Sequence, residues 1–465
     1  MAEWEAVVGL EVHVHLKTRT KMFCRCALEY GAHENTRTCP VCLAFPGALP
    51  VPNAKAIEHT IKLGLALECE IAEHAVFARK NYFYPDLPKG YQISQYEKPL
   101  CGRGRFLLPT AGGDDEIGIE RAHLEEDAAK TVHAGGETGR TIGAEYSLVD
   151  FNRGGTPLLE IVSRPDIRSA DQALRYLRLL RQTIVELGIS DAEMEKGTMR
   201  ADVNVSVRER GENGFRPRWE LKNMNSFTFI GRGIEAAVRQ QVAAYEAGKT
   251  LEQSTYDYDP DLDRLTVHRS KEEADDYRYF PEPDLVPVDP PRELVERLRG
   301  ELPKLPAARI RRIAKELSVA AADELVSTGN DHKAQLLAER GVDWQTAANV
   351  AMNEPDFLDA NAAAIAAIVK ARDTLTREAY DGAFAAARSV SIDAAEYLAQ
   401  IAVSDTGELD PVIESILAAN PQQVETYRGG KEGVLGFFVG QVMKETGGKA
   451  DPKVVNELLR EKLKA

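Results

Sequence analysis

Residues 8–16 read VGLEVHVHL, and the first half of the chain is read outward from them. Leu10, Val12, Val14 and Leu16 alternate with Glu11, His13 and His15. A period of two is that of a β-strand, whose successive side chains point to opposite faces of the sheet. One face is therefore apolar, and the other presents a carboxylate and two imidazoles in a row. Side chains two residues apart on one face stand roughly 7 Å apart at their bases, close enough for Glu11 and His13 to converge on one cation. A solvated strand face carries the same residue types. The alternation predicts the strand; the site needs more.

The same design recurs in MRADVNVSVR (199–208), with Met199, Ala201, Val203, Val205 and Val207 on one face. Arg200, Asp202, Asn204, Ser206 and Arg208 take the other. RWELKNM (218–224) reads as a third strand, with Glu220 and Lys222 on one face. Between them, SADQALRYLRLLRQTIVELG (169–188) has a Ser N-cap, apolar residues at helical spacing and a closing Gly. IGRGIEAAVRQQVAAYEAG (230–248) is a second such helix. Strands interrupted by a few helices predict an α+β domain.

That domain is expected to span residues 1–293. Residues 280–294, FPEPDLVPVDPPREL, hold five prolines and read as an extended linker or domain edge. Beyond them come Ala-rich helical segments such as NAAAIAAIVKARDTL, with no cysteine and one histidine. From about residue 406 Gly-rich turns separate short amphipathic helices. The expected divisions are 1–293, 294–405 and 406–465.

The bulk numbers agree with a multidomain globular protein. The chain has 465 residues, too many for one ordinary core. No apolar run approaches the roughly 20 residues of a membrane helix, and the start lacks a secretion signal, so no membrane partner is expected. Cys69 and Cys101 are isolated and the other four cysteines are clustered, which is no disulfide framework and points to a reducing cytoplasm. A net charge of −15 argues against general nucleic-acid binding, although residues 421–465 carry eight Lys/Arg against six Asp/Glu.

The clustered cysteines lie in FCRCALEYGAHENTRTCPVC (23–42): Cys24-x-Cys26, twelve residues, then Cys39-P-V-Cys42. Two close pairs of this kind match a four-thiolate zinc site. Four thiolates fill zinc's tetrahedron and leave no position for water, so such a site is structural.

Two further stretches bear on chemistry. IERAHLEEDAAK (119–130) sets His123, Glu125, Glu126 and Asp127 within five residues. Adjacent acids repel unless solvated or neutralised, so the ordinary expectation is a surface loop or helix face, and the sharper one is a share in a cation site. Mixed carboxylate and imidazole ligands suit Mg²⁺ or Mn²⁺ better than zinc. DFNRGGTPLLEI (150–161) offers a plain turn or a small nest of backbone N–H groups at Arg153, Gly154 and Gly155. There is no Walker A motif.

Taken in order, VGLEVHVHL, the cysteine knuckle, RKNYFYPDLPKGYQISQYEKPL (79–100), RAHLEEDAAK (121–130), DFNRGGTPLLEIVSRPD (150–166), MRADVNVSVR, ELKNMNSF (220–227) and DDYRYFPEPDL (275–285) resemble the B subunits of the tRNA-dependent aspartyl/glutamyl-tRNA amidotransferases. GVLGFFVGQVMKETGGKADPKVVNELL (433–459) resembles their tail module. The resemblance covers nearly the whole chain.

It implies a catalytic cradle domain with an antiparallel sheet, similar in fold to glutamine synthetase, followed by an all-α helical domain and a tRNA-binding tail. The implied activity is ATP-dependent transamidation of Glu-tRNA(Gln) or Asp-tRNA(Asn): the side-chain carboxylate is phosphorylated, and ammonia from an amidase partner displaces phosphate. ATP, Mg²⁺ and a structural Zn²⁺ are the implied cofactors. The implied partners are the amidase (A) chain, a small third (C) chain, tRNA and the cognate non-discriminating synthetase.

Carried over position by position, Glu11 and His13 match metal ligands. Glu125 and Glu126 match an acidic pair completing the Mg²⁺ site and bordering the ammonia exit, and Lys89 matches a lysine beside that path. Asp202 and Glu220 match further carboxylates. Arg153, Gly154, Gly155, Ser206, Arg208, Lys222 and Asn223 are candidate nucleotide contacts. His15 departs from the family pattern and receives no role. A non-catalytic tRNA-binding scaffold with a structural zinc knuckle is the alternative; it accounts for the tail but not for Glu11, His13, Glu125 and Glu126. A zinc hydrolase would need an open-site motif such as H-E-x-x-H, which the chain lacks.

Overall fold

The computed structural model describes residues 3–135, 143–222, 224–259, 262–270, 277–375, 377–389, 406–447 and 450–464. The chain divides into two compact units, Met1–Arg309 and Ile310–Ala465.

The first unit is α+β. Its strands are β1 Trp4–His15, β2 Ala78–Asn81, β3 Tyr91–Ser94, β4 Gly104–Thr110, β5 Gly113–Glu126, β6 Lys130–Ala134, β7 Tyr146–Asp150, β8 Pro157–Ser163, β9 Met199–Glu209, β10 Trp219–Lys222, β11 Ser254–Asp259, β12 Arg264–Ser270 and β13 Phe280–Pro281. Among the described residues, eight strands form one sheet in the order β12-β11-β10-β9-β1-β8-β5-β4. All neighbours are antiparallel except β10 and β11. The opening stretch thus lies in a central strand, paired on both sides.

The apolar face of this sheet is the core. Leu10, Val12, Val14, Leu159, Ile161, Val203, Val205 and Val207 are each at most 1% exposed. Burying such a side chain contributes about 1.5–3 kcal/mol. Two helices cover that face, α2 (Ala170–Glu186) and α3 (Phe227–Glu246); a shorter one, α1, spans Ala54–Ala66. α3 packs on β9, and α2 on β4, where Phe106 and Tyr176 meet edge to face at 5.7 Å. Each helix starts at the side-chain cap its sequence supplies. Asn53 accepts from the Lys55 and Ala56 amides, Ser169 from Gln172 and Ser226 from Phe229. Such caps are worth about 1 kcal/mol each.

The polar face is left open by the helices and roofed by a small sheet, β13-β2-β3. The proline-rich stretch is not a free linker. Phe280 and Pro281 pair with Arg79 and Ala78, and Ala75 exchanges hydrogen bonds of 2.9 and 2.8 Å with Val288. The buried Glu282 accepts two hydrogen bonds from Arg79, at 2.8 and 2.7 Å. Helix α4 (Arg292–Gly300) then packs on α1, and Arg297 donates to Glu58 at 3.0 Å. These contacts tie the proline-rich stretch and α4 to the first unit.

The second unit is helical. One apolar cluster gathers Leu337, Phe357, Ile365, Ile368 and Phe384. Another, formed by residues 409–463, gathers Ile413, Phe438, Val442, Val455 and Leu459. Among the described residues no helix is long and apolar enough to cross a membrane.

Candidate active site

Strand register assembles the site. His13 on β1 stands opposite Glu160 on β8 and Arg200 on β9, and Glu160 stands opposite His123 on β5. Residues directly opposite one another share a face. His123, Glu160, His13 and Arg200 therefore form one row across four strands. Glu11 lies opposite Asp202 in a neighbouring row. Both rows open into a cavity of about 650 Å³, which Glu125, Asp127, Arg121, Glu220, Lys222 and Lys80 also line.

At its centre His13 Nε2 lies 3.4 Å from Glu160 Oε2 and 3.7 Å from Glu125 Oε1. Burial alone would favour a neutral ring, but the Glu160 hydrogen bond and the charges of Glu125, Glu160 and Asp202 push His13 up to about 9. Burial, and then the charge of Glu160, pushes Glu125 up to about 7. Burial also acts on Glu160, yet the two imidazoles and Arg121 hold it well below the usual carboxylate range. His123 is pushed down to about 4, chiefly by burial. A cluster that pulls one carboxyl up and another down is under electrostatic strain that a cation would relieve.

The donor set fits such an ion. One ligand atom each from His13, Glu125 and Glu160 lies within 4.8 Å of the others. Two oxygens and one imidazole nitrogen, open on the cavity side, suit Mg²⁺ or Mn²⁺ with remaining positions for water and substrate oxygens. Glu11 stands beside this trio, takes a 3.0 Å hydrogen bond from Asn204 and has a raised pKa from burial and then Glu160. Lys222 bridges Glu220 at 2.9 Å and Asp202 at 3.3 Å.

The structure separates the acidic pair. Consecutive side chains on a strand face opposite ways, so Glu125 enters the main cavity while Glu126 turns into a second one of about 250 Å³. There Glu126 pairs with Lys89 and accepts the Ile93 amide at 3.0 Å. The run Glu125–Asp127 is not a solvated loop: the three acids are 4%, 3% and 7% exposed. Each has its own cation. Asp127 meets His15 at 2.7 Å, Arg200 at 3.3 Å and Arg153 at 3.5 Å. Burial opposes its ionisation, but these partners hold it far below the usual carboxylate range.

Cys24, Cys42 and Lys21 also line the second cavity. The four sulfurs of Cys24, Cys26, Cys39 and Cys42 lie within 4.8 Å of one another, and those of Cys39 and Cys42 are 3.9 Å apart. Zinc with about 2.3 Å bonds to sulfur in a tetrahedron needs sulfurs about 3.8 Å apart. The cluster fits zinc and has no open position. Lys21 is 1% exposed and donates to Phe151 O at 2.9 Å and to Cys42 Sγ at 3.6 Å.

Several expected nucleotide contacts lie elsewhere. Arg153 donates to the carbonyls of Ala128 and Ala129, at 2.9 and 2.7 Å. The Gly155 amide, one of the three in the expected nest, donates to Asp127 O, and the Thr156 amide donates to Arg153 O, closing a turn. Gly155, at φ +86°, is the position of that turn that favours glycine. Gly154 packs on Ala129. Arg208 pairs with Glu5 at 2.5 Å, and Ser206 lines a third cavity. Asn223 lies outside the described residues. Of the other six, Lys222 alone lines the main cavity.

Glu160 is the residue that pattern reading misses. Its signal is slight: one acid inside the apolar strand PLLEIVS (157–163). Arg121, Lys80 and the cavity tyrosines Tyr82, Tyr96, Tyr277 and Tyr279 escape it too.

Fold and site define a class: an α+β domain with a cluster of carboxylates and imidazoles on the open face of an antiparallel sheet, followed by a helical region. The GatB/GatE catalytic domain family matches residues 6–296, and the GatB domain family matches residues 356–463. The chain is 46% identical to the B subunit of the aspartyl/glutamyl-tRNA(Asn/Gln) amidotransferase of Syntrophotalea carbinolica, over 99% of both chains. It is 44% identical to the corresponding chain of Persephonella marina, over 99% of this chain and all of the relative, and 46% identical to that of Geobacter sulfurreducens, over 99% of both. The chain belongs to the GatB family.

Proposed function

We propose that the protein is the carboxylate-activating subunit of a tRNA-dependent amidotransferase. In this reading it phosphorylates the side-chain carboxylate of Glu-tRNA(Gln) or Asp-tRNA(Asn) with ATP, and ammonia from an amidase partner then forms the amide. The observation that carries it is the convergence of His13, Glu125 and Glu160 on one open cation position, in a cavity that also holds Arg121, Arg200, Lys80 and Lys222.

A carboxylate does not accept ammonia directly, because oxide would have to leave. The substrate carboxylate oxygen attacks the γ-phosphorus of ATP, the bond to the β-phosphate oxygen breaks and ADP departs. The ammonia nitrogen attacks the carbonyl carbon, the bond to the phosphate oxygen breaks, and a proton leaves the nitrogen for a base. Two anions must first be brought together. Mg²⁺ held by His13, Glu125 and Glu160 would lower their mutual repulsion and the charge on the transferring phosphoryl group. The cavity cations hold the substrate's oxygens in place, and Glu11, whose pKa is raised, is placed to take the proton. The acyl phosphate must be kept from water. The second cavity, with the Glu126–Lys89 pair at its wall, is the proposed route for ammonia. Zinc in the knuckle would hold Cys24–Cys42 in place and take no part in the chemistry.

The partners in this reading are the amidase chain, a small third chain and the charged tRNA, gripped by the net-basic tail; the setting is the cytoplasm. The test is ATP turnover and amide formation by the assembled complex with Glu-tRNA(Gln) and with Asp-tRNA(Asn). Stimulated turnover with either charged tRNA is expected. No stimulation by either would overturn the proposal and leave the scaffold reading.

A further inference from the structure

One wall of the main cavity is aromatic, and the carboxylate chemistry does not use it. Tyr82, Tyr96, Tyr277 and Tyr279 line the same cavity as Glu125 and Glu160. Tyr96 and Tyr279 stack with centroids 4.3 Å apart and planes 9° from parallel. Tyr277 meets Tyr279 edge-on at 6.1 Å, and Tyr82 meets Tyr277 edge-on at 6.1 Å. Lys80 Nζ lies 4.7 Å from the Tyr277 ring and 5.8 Å from that of Tyr82.

These rings come from three places in the chain: the end of β2, the residues after β3 and the residues before β13. Each ring meets the next, from Tyr96 through Tyr279 and Tyr277 to Tyr82. Ordinary core aromatics of this unit are closed: Phe77 is 1% exposed and Tyr176 fully buried. Tyr96 remains 50% exposed after stacking on Tyr279. A half-covered ring stack beside a polar cavity has the form of a platform for a flat ligand. Bases of single-stranded nucleic acid and of nucleotides bind such platforms by stacking.

We infer that the Tyr96–Tyr279 stack is the seat of an adenosine ring, with Tyr96 as the contacting face and Lys80 beside the attached phosphate or ribose. The inference rests on the proposed transamidation, which brings two adenosines to this cavity: that of ATP and the terminal adenosine of the charged tRNA. Both carry their reacting group several bonds from the base, so either could stack here while its reacting end reaches the His13–Glu125–Glu160 trio.

The experiment uses the full amidotransferase complex with Tyr96→Ala, Tyr96→Phe and Tyr96→Trp. Amide formation is measured first with ATP varied at saturating charged tRNA, then with charged tRNA varied at saturating ATP. Tyr96→Ala is expected to raise one of the two KM values by about ten- to a hundred-fold, the loss expected when a base is deprived of its aromatic platform. Its kcat should change far less. Tyr96→Phe and Tyr96→Trp keep a ring and are expected to restore that KM to within a few-fold of the parent. A rise in the ATP value assigns the nucleotide's adenosine; a rise in the tRNA value assigns the terminal nucleoside. If neither KM moves with Tyr96→Ala, or if Tyr96→Phe is as damaged as Tyr96→Ala, the stack is not a base platform. Should the parent complex form no amide with either charged tRNA, the proposed function fails first, and the two failures are told apart by that control.

Discussion

The cysteine knuckle and the carboxylate cavity are both candidate cation sites made from a handful of titratable side chains, and they are assembled in opposite ways. The knuckle takes its four cysteines from residues 24–42, and their sulfurs lie within 4.8 Å of one another. The cavity takes His13 from β1, Glu125 from β5 and Glu160 from β8, and three strands must find register before any cation site exists. A four-sulfur set closes around its ion; a set of one nitrogen and two oxygens leaves room for substrate. In the proposed function, local assembly holds the chain, while long-range assembly places chemistry where several strands can act on it.

That division of labour can be broken most directly at Glu125. Its pKa of about 7, raised by burial and then by Glu160, means that a neutral isostere suits the apo fold. Glu125→Gln is expected to abolish amide formation by the complex while zinc content and melting temperature stay at parental values; a variant that still makes amide would show the site to be misplaced. Glu160→Gln should weaken Mn²⁺ binding, read by electron paramagnetic resonance, by at least about 100-fold, since even outer-shell partners of a metal are worth about 10- to 100-fold. Unchanged Mn²⁺ affinity would remove Glu160 from the ligand set.

The knuckle should respond in stability instead. Cys39→Ser, or removal of zinc by a chelator, is expected to lower the melting temperature by about 5–10 °C, with the rate per folded molecule retained. If the variant folded normally but formed no acyl phosphate, the knuckle and the cavity would not be separable in function. The smallest effect is expected at Lys21, whose ammonium joins Cys42 to the Phe151 carbonyl. Lys21→Met should speed zinc loss to a chelator by about ten-fold. An unaltered rate would mean that the lysine only fills space.

The legibility of these two sites follows the same contrast. Cysteine pairs are visible as spacing because their ligands are neighbours in the chain. The polar face of β1 is visible as alternation, and Ser169 and Ser226 mark the starts of α2 and α3. The acids Glu125, Glu126 and Asp127 read either as a solvated run, because adjacent charges repel, or as a share in a cation site; only the fold shows that His13, Lys89 and Arg200 each stand beside one of them. Arg208 is a plausible nucleotide contact in the sequence, but Glu5 on the facing strand claims its guanidinium. Glu160 and the tyrosines are silent. A single acid in an apolar strand, or a tyrosine in a turn, has no periodic partner, and its meaning depends on what pairing sets beside it.

By itself the sequence determined the α+β class of the first unit, the helical second unit, the zinc-type knuckle, the polar face carrying Glu11 and His13, and a family resemblance that the comparisons bear out. These are local patterns, and local patterns are governed by backbone periodicity and ligand spacing. Tertiary structure alone decided that Glu160 stands with His13 and Glu125 in one candidate ligand set, that Glu125 and Glu126 line different cavities, and that four tyrosines share one wall. Strand register sets Glu160 beside His13 and Glu125, because shifting a strand by one residue would turn its side chains to the opposite face; the tyrosines lie in the connections next to β2, β3 and β13, whose path the tertiary fold sets.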